Sequence, residues 1–413
     1  MFKKLLSALL ALAVLPCAAR ATGAMDRSEL RARWAAIESA QIETPYAETP
    51  DPSAFFPGAL TQAAQENALD CLNLIRALAG LDAVSINPLY ALRAQNGALL
   101  LSANDRLEHH PPQPEGMDAS LYASGLDGTS MGNIARFNWM RPEILTEGVA
   151  YFARDDGDAN LPVLGHRRWL LNPEMAETGF GLANAPGSAS YVCMYAVDAG
   201  NADADWAYVA WPAAGCFPVE LMRRELAWSV SFNEEIYDLD ASEIAVTLRE
   251  ERSGAEFHFD AGSGAGDGFC ALNREAYGAG PCLIFRPEIE RAGIEEYVQN
   301  QRWTVRVSGL VRRDGGDAAL EYACEMVSVY PQPVVNVEIT PLEASLKPGE
   351  ALQLSAAVVP GYADDLSIIW TSSDPSVATV DASGLATALS PGECSITAAS
   401  ANGRADACRL RVE

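Results

Sequence analysis

Basic residues are scarce in this chain of 413 residues, in which 29 lysines and arginines stand against 55 aspartates and glutamates. The formal net charge is therefore −26 at pH 7. A field of this sign repels nucleic acids and anionic membranes, so we expect no nucleic acid among the partners. Long apolar runs are also missing beyond the N-terminal segment. A membrane-spanning helix needs about 20 consecutive apolar residues, so the sequence predicts no integral membrane protein.

The N-terminal segment has the three parts of a secretory signal peptide. The basic "MFKK" precedes the apolar "LLSALLALAVL", which is too short to span a bilayer, and "ARATGA" offers small residues for cleavage. We predict a signal peptide over residues 1–24, cut after Ala21 or Ala24. Cys17 follows a proline where a lipoprotein site favours a small residue, so lipid anchoring is disfavoured. The expected location is outside the cell or at its surface.

No Cys-x-x-Cys pair occurs among the nine cysteines, which excludes a zinc ribbon and a thioredoxin-like site. Removing Cys17 leaves an even number, and an even number in an exported chain favours disulfides over metal binding. Cys394 and Cys408 flank a predicted hairpin that turns at Asn402-Gly403, and we predict a disulfide between them. Cys193–Cys216 and Cys270–Cys282 are two further candidate disulfides, with weaker support from the sequence.

Hydrophobic patterns divide the chain into five segments. Leu69, Leu72, Ile75 and Leu78 have helical spacing, and Asn87 followed by a proline is typical of a helix start. Residues 105–140 are rich in Gly, Pro and Asp and are expected to be loops. We predict a signal peptide over 1–24, a helix and linker over 25–64, a mixed α/β domain over 65–212, a β-sandwich over 213–331 and a second all-β domain over 334–413.

Histidine is rare, and most short catalytic motifs fail in their context. The four histidines are His109, His110, His166 and His258. "GTSMG", centred on Ser130, matches a serine-hydrolase pattern but lacks the preceding strand and the following helix that its chemistry needs. "RDDGDAN" clusters three aspartates without the glutamate that an EF-hand requires. "GSGAGDG" lacks the lysine of a phosphate loop.

Two stretches resemble known families. The tail, with "LKPGE", "WTSSDPSVATVD", "SGLATALSPG" and "CSITA" in order, resembles a group 2 bacterial immunoglobulin-like domain. "LNLIRALAGLDAVSINPLYALRAQNGALLL", "LEHHPP", "GNIARF" and "DDGDANLPVLGHRRWLLNP" resemble the bacterial branch of the CAP superfamily (cysteine-rich secretory, antigen 5 and pathogenesis-related 1 proteins). The resemblances imply a multidomain chain, in which an α-β-α sandwich precedes two all-β immunoglobulin-like sandwiches.

The CAP resemblance also implies a cleft with two histidines and two acidic residues, in which some relatives bind zinc. The histidines correspond to His109 and His166, and one acidic position aligns with Asp155 or Asp156. The other acidic position is Gly132, next to a retained Asn133. The implied ligand-binding residues are His109, Asn133, Asp155, Asp156 and His166, and zinc, held by the two histidines, is the one candidate cofactor.

These features favour binding over catalysis. We expect a secreted protein whose CAP cleft binds an extracellular small molecule, a peptide or a cell-surface component, with the β domains as spacers or adhesive modules. Two histidines are fewer ligands than a catalytic zinc uses, and the Arg167-Arg168 pair opposes a cation if it points inward. Two alternatives stay open: a divalent-metal-dependent hydrolase acting on peptides or cell-wall material, and an adhesin that acts through the β domains alone.

Overall fold

The computed structural model describes residues 25–184, 187 and 189–413, and the predicted signal peptide with Cys17 lies outside them. The chain forms two compact units. The first takes the residues up to Tyr297 together with Gln301–Val329, and the second takes Val298–Asn300 and Tyr330–Glu413. In the described part of the chain, no helix is both long enough and apolar enough to cross a membrane.

The first four helices of the first unit begin where a short polar side chain caps them. Asn87 precedes the third helix, and its side chain accepts hydrogen bonds from the amides of Leu89 and Tyr90, as the sequence predicts. Thr61 caps the second helix in the same way. The helices are α1 (Arg27–Glu38), α2 (Gln62–Leu78), α3 (Pro88–Asn104), α4 (Ala119–Ser130), α5 (Ile144–Arg154) and α6 (Gly165–Leu170).

A four-stranded sheet lies between these helices. Besides the short pair β1 (Tyr46–Glu48) and β2 (Ala59–Leu60), the strands here are β3 (Ser85–Ile86), β4 (Gly132–Phe137), β5 (Glu177–Asn184) and β6 (Ser190–Tyr195), and the sheet order is β3-β5-β6-β4. All six residues of β6 are buried. Tyr191 and Cys193 face a core cluster that includes α3, whereas Val192 and Met194 face the cluster that includes α2 and α5. This alternation confirms the predicted α-β-α sandwich.

A β-sandwich completes the first unit. Its strands are β7 (Tyr208–Trp211), β8 (Gly215–Pro218), β9 (Trp228–Phe232), β10 (Ala245–Glu250), β11 (Glu256–Asp260), β12 (Gly268–Asn273), β13 (Cys282–Pro287), β14 (Arg302–Val311) and β15 (Asp317–Val327). One sheet has the order β11-β10-β14-β15-β8 and the other β12-β13-β9-β7. Trp228 of one sheet packs against Trp303 of the other, with ring centroids 6.2 Å apart.

The second unit is all β, as predicted. Its strands are β16 (Asn336–Thr340), β17 (Glu343–Leu346), β18 (Ala351–Gln353), β19 (Ser355–Val359), β20 (Ile368–Ser372), β21 (Ala378–Val380), β22 (Leu385–Ala388), β23 (Gly392–Ser400) and β24 (Ala405–Val412). The largest sheet has the order β17-β24-β23-β20. Its own core contains Val337, Leu354, Ile396 and Leu410. The two all-β segments confirm the predicted fold class.

The cysteines correct one prediction from the sequence. All eight described cysteines are free thiols, so the predicted Cys394–Cys408 disulfide is not formed, nor are the Cys193–Cys216 and Cys270–Cys282 pairs. The β23–β24 hairpin exists, but its register sets Cys394 opposite Leu410 and Cys408 opposite Ile396. Diagonal residues of this kind lie about 7–8 Å apart, beyond the span of about 6.8 Å that a disulfide bridges.

Burial should make these thiols unreactive in the folded protein. It raises the pKa of the Cys71 and Cys193 thiols to about 12 and holds the pKa of the Cys324 thiol well above its ordinary value, so none of the three forms the reactive thiolate at neutral pH. We expect a thiol reagent to label the folded mature chain slowly and to titrate eight thiols once guanidinium unfolds it. Six titrated thiols would instead reveal a disulfide, and a Cys408→Ser variant would then show whether that residue contributes.

Candidate functional site

A cleft of about 570 Å³ opens where α4, β4 and α6 approach a loop of the β-sandwich. Seven of its fifteen lining residues come from segments that the sequence singles out, "LEHHPP", "GNIARF" and "GHRRW". Its lining residues are His109, His110, Ser130, Met131, Gly132, Asn133, Ala159, Asn160, Val163, Gly165, His166, Trp169, Val197, Ala276 and Tyr277.

His166 is fixed from behind by a buried carboxylate. It is the second residue of α6, and its Nδ1 lies 2.8 Å from Oδ1 of Asp155. The Asp155 side chain is fully buried, and its second oxygen accepts a hydrogen bond from the Arg167 amide. Phe152 stacks on the imidazole with ring centroids 5.3 Å apart. Because Nδ1 donates to the carboxylate, Nε2 is the nitrogen left for a ligand in the cleft.

His109 is held in the same way by a main-chain group. Its Nδ1 lies 2.7 Å from the Thr129 carbonyl oxygen, and the Thr129 hydroxyl donates to the His109 carbonyl at 2.9 Å. These two bonds tie the "LEHHPP" loop to the last turn of α4. A carbonyl oxygen can only accept, so Nδ1 donates to it and Nε2 is again the nitrogen left for a ligand. His110, the next residue, also lines the cleft and is exposed to solvent.

The other predicted cleft residues divide into two groups. Asn133 lines the cleft, and its amide donates to the His166 carbonyl at 2.9 Å, which joins β4 to α6. Asp155 lies behind His166 rather than in the lining, and Asp156 lies outside the lining. Gly132, which stands where CAP relatives have a glutamate, contributes no side chain. The structure therefore brings His109, Asn133 and His166 to one cleft and places Asp155 as the support of a histidine.

The cleft offers a cation few ligands, namely the imidazoles of His109, His110 and His166. Nowhere among residues 25–184, 187 and 189–413 do three or more His, Cys, Asp or Glu side chains form a group that could hold a metal ion. A catalytic zinc commonly has three protein ligands, so His109 and His166 alone would hold it weakly and leave several positions to water or a ligand. Anchored imidazoles of this kind suit a metal or a hydrogen-bond donor equally well.

Ser130 does not act as a hydrolase nucleophile elbow. It is the last residue of α4, and its hydroxyl donates to the His109 carbonyl at 3.3 Å. The elbow needs a serine on a turn that follows a strand and begins a helix, whereas this serine ends a helix and precedes a strand. The structure agrees with the sequence argument against this motif.

The arginines of "GHRRW" point away from the cleft. The Arg167 guanidinium donates to the carbonyls of Ala153, Arg154 and Ala227 at 2.7–2.8 Å. Both Arg167 and Arg168 are at most 2% exposed. Burial lowers the pKa of Arg167 to about 10, which still leaves it charged at neutral pH. The sequence argument that this pair would oppose a cation in the cleft therefore does not apply, because neither guanidinium enters it.

Two aromatic lining residues were missed from the sequence. Neither Trp169 nor Tyr277 is among the cleft residues expected from the sequence, and Tyr277 lies far along the chain in the loop between β12 and β13. An amphipathic position directly after the "GHRR" segment could have drawn attention to Trp169. No local pattern marks Tyr277, because its place in the cleft depends on how the sandwich packs against α6.

The comparisons with known proteins match these two parts of the chain. Residues 69–195 match the model of the Cysteine-rich secretory protein family. Residues 333–408 match the model of the Bacterial Ig-like domain (group 2). Both matches confirm the families that the sequence resembles.

Other likenesses are local. A stretch of 58 residues is 48% identical to a 3-O-alpha-D-galactosyl-alpha-L-arabinofuranosidase of Bifidobacterium longum subsp. longum, covering 14% of this chain and 5% of that protein. Another stretch, of 68 residues, is 43% identical to a lacto-N-biosidase of Bifidobacterium bifidum, covering 16% of this chain and 6% of that protein. A solved intimin mutant from EHEC O157:H7 covers 18% of this chain and 45% of its own at 23% identity, with a TM-score of 0.16. The chain thus spans a small fraction of the curated relatives it matches.

Replacing Arg167 with lysine should destabilise the first unit. An ammonium cannot reach the three carbonyls that the guanidinium contacts, so buried acceptors would lose their donors. We expect Arg167→Lys to lower the free energy of unfolding by about 3 kcal/mol. Guanidinium denaturation followed by tryptophan fluorescence measures this change.

The matched control is Arg306→Lys, because Arg306 makes an exposed ion pair with Glu321 at 3.5 Å. Arg306→Lys should change the free energy of unfolding by no more than about 0.5 kcal/mol. Equal effects of the two substitutions would contradict a structural role for the buried guanidinium.

Proposed function

We propose that this chain, a CAP domain and β-sandwich followed by a group 2 bacterial Ig-like domain, is a secreted or cell-surface protein that binds an extracellular ligand in the cleft of His109 and His166. The observation that carries the proposal is that both imidazoles are anchored at Nδ1 and line the same cleft. Each therefore offers Nε2 as a hydrogen-bond acceptor in a fixed position.

The surroundings of the histidines support a binding site. Asp155 and Phe152 hold the His166 ring, and the last turn of α4 holds that of His109, so neither ring loses much freedom when a ligand binds. The cleft is concave and mixes apolar and aromatic side chains with a few polar groups, which is the usual make-up of a small-ligand site. In this proposal the Ig-like domain is a spacer or an adhesive module.

A divalent-metal-dependent hydrolase acting on peptide or cell-wall material is the second candidate. The Asp155–His166 contact favours it, since metal-binding histidines commonly donate their other nitrogen to a carboxylate. His109 and His166 would hold the ion, which would polarise a carbonyl and activate water. The absence of a carboxylate from the cleft lining leaves this candidate without an evident general base, and binding remains the function that the site supports better.

Zinc titration tests whether the two histidines act together on a cation. We expect isothermal titration of the mature chain to give a weak site with a dissociation constant on the order of micromolar, and both His109→Ala and His166→Ala should abolish it. Asp155→Asn should weaken it about tenfold or more by freeing the His166 ring. His258→Ala is the control, because this histidine lies exposed on β11. Zinc affinity unchanged in His166→Ala would eliminate the metal-dependent candidate.

A ligand screen tests the binding function itself. The mature chain would be screened by thermal shift against extracellular metabolites, short peptides and soluble cell-wall fragments, and each hit measured by calorimetry. We expect His166→Ala to weaken the best ligand about tenfold or more, because a fixed acceptor in the cleft is lost. His258→Ala should bind it as the parent chain does. A ligand that binds both variants equally would place the binding surface elsewhere and contradict the proposal.

A further inference from the structure

We propose that Tyr277, carried by the β-sandwich, is a specificity-determining residue of the cleft, and that the ligand is a neutral carbohydrate chain. This inference rests on the proposed binding function and adds a residue and a ligand class to it. Tyr277 lies in the loop between β12 and β13, more than 100 residues after the "GHRRW" segment, yet it lines the same cleft as His166.

Arg168 fixes this loop on the cleft. Its guanidinium donates to the carbonyl oxygens of Glu275 and Gly280 and to Oδ1 of Asn273, at 2.6–2.7 Å. The same guanidinium lies 5.3 Å from the centroid of the Tyr277 ring. One buried cation therefore holds both ends of the loop and the face of the aromatic ring between them. The Tyr277 ring is consequently held in a fixed position in the cleft wall.

Two glycines allow this close approach. A Cβ on Gly165 would lie 3.2 Å from two carbons of the Tyr277 ring, so glycine at the start of α6 leaves room for the ring. Gly278 has a φ of +50°, and a Cβ there would lie 2.0 Å from the Arg168 carbonyl oxygen. A side chain at either position would move the loop or the ring. Gly165 of "GHRRW" thus leaves the space that the ring of Tyr277 occupies.

The chemistry of the lining selects an uncharged ligand. None of the described lining residues is an Asp, Glu, Lys or Arg, and Asp155 is shielded behind His166. Hydrogen bonds would come from neutral groups, namely Asn133, Asn160, Ser130 and the imidazoles. Trp169 and Tyr277 add two aromatic surfaces. A sugar ring has hydroxyl groups around its edge and an apolar C–H face, and this combination matches amides and imidazoles beside aromatic rings.

The test uses calorimetry on the mature chain with defined probes. These are hexasaccharides of β-1,4-linked glucose, xylose, mannose and N-acetylglucosamine, and an uncharged hexapeptide of glycine, serine and threonine. We expect one hexasaccharide to bind and Tyr277→Ala to weaken it about tenfold, whereas Tyr277→Phe keeps the ring and changes the affinity less than about threefold. Tyr362→Ala, an exposed tyrosine of the second unit, should have no effect.

Gly165→Ala is a second variant, which removes no cleft side chain but adds a Cβ that displaces the Tyr277 ring, and it should weaken binding of the same hexasaccharide. Zinc binding by His109 and His166 should survive in Tyr277→Ala, which shows that this variant folds. Hexasaccharide binding that depends on His166 but not on Tyr277 would overturn the inference and leave the proposed function standing. Binding of the peptide but of no hexasaccharide would overturn the ligand class, and no binding of any probe would also count against it.

Discussion

The guanidinium of Arg167 is buried and donates to main-chain carbonyls at the end of α5 and just before β9, at Ala153, Arg154 and Ala227. Removing a positive charge from water costs several kcal/mol, which only a nearly complete set of hydrogen bonds offsets. These acceptors come from the helical layers on one side and the sandwich on the other. The two parts must therefore be assembled together before this side chain is satisfied, and His166 is the residue immediately before it.

Arg76 and Arg168 are also buried and also donate to main-chain carbonyls. Arg76 on α2 is fully buried and donates to the carbonyls of Leu170, the last residue of α6, and of Asn172, so it fixes the end of α6. Arg168 extends the pattern to the Tyr277 loop. The two guanidinium groups of "GHRRW" thus hold the surrounding main chain in place. The cleft lining thus contains no Asp, Glu, Lys or Arg, in a protein with a net charge of −26.

Local signals in the sequence predicted a large part of this structure. The Asn87 cap and the hairpin of β23 and β24 both depend on neighbouring residues, and His109 and His166 could be named from short motifs. Helix α4 was expected to be a loop because its glycines disfavour helices. Packing reverses this preference, since a Cβ on Gly128 would lie 2.0 Å from the Arg93 carbonyl oxygen of α3.

What the sequence could not predict depends on long-range geometry. The register that separates Cys394 from Cys408 is a property of the whole sheet. The support of His166 by Asp155 was visible only as a loose alignment, because an αL residue at position 155 redirects the chain after α5. Tyr277 became part of the cleft only through the docking of a second sheet. In each case the residues are far apart in sequence or related by a turn whose direction no pattern specifies.

The strand β7 has a consequence for how such chains can be rearranged. It lies inside the mixed α/β domain that the sequence predicts over residues 65–212, yet it hydrogen-bonds to β9 of the sandwich. A gene fusion that exchanged residues 65–212 alone would remove this edge strand from the sandwich and would separate Arg167 and Arg168 from their acceptors there. The smallest piece that could be transplanted intact is therefore the first compact unit, and shuffling during evolution should have respected its boundary near Val329.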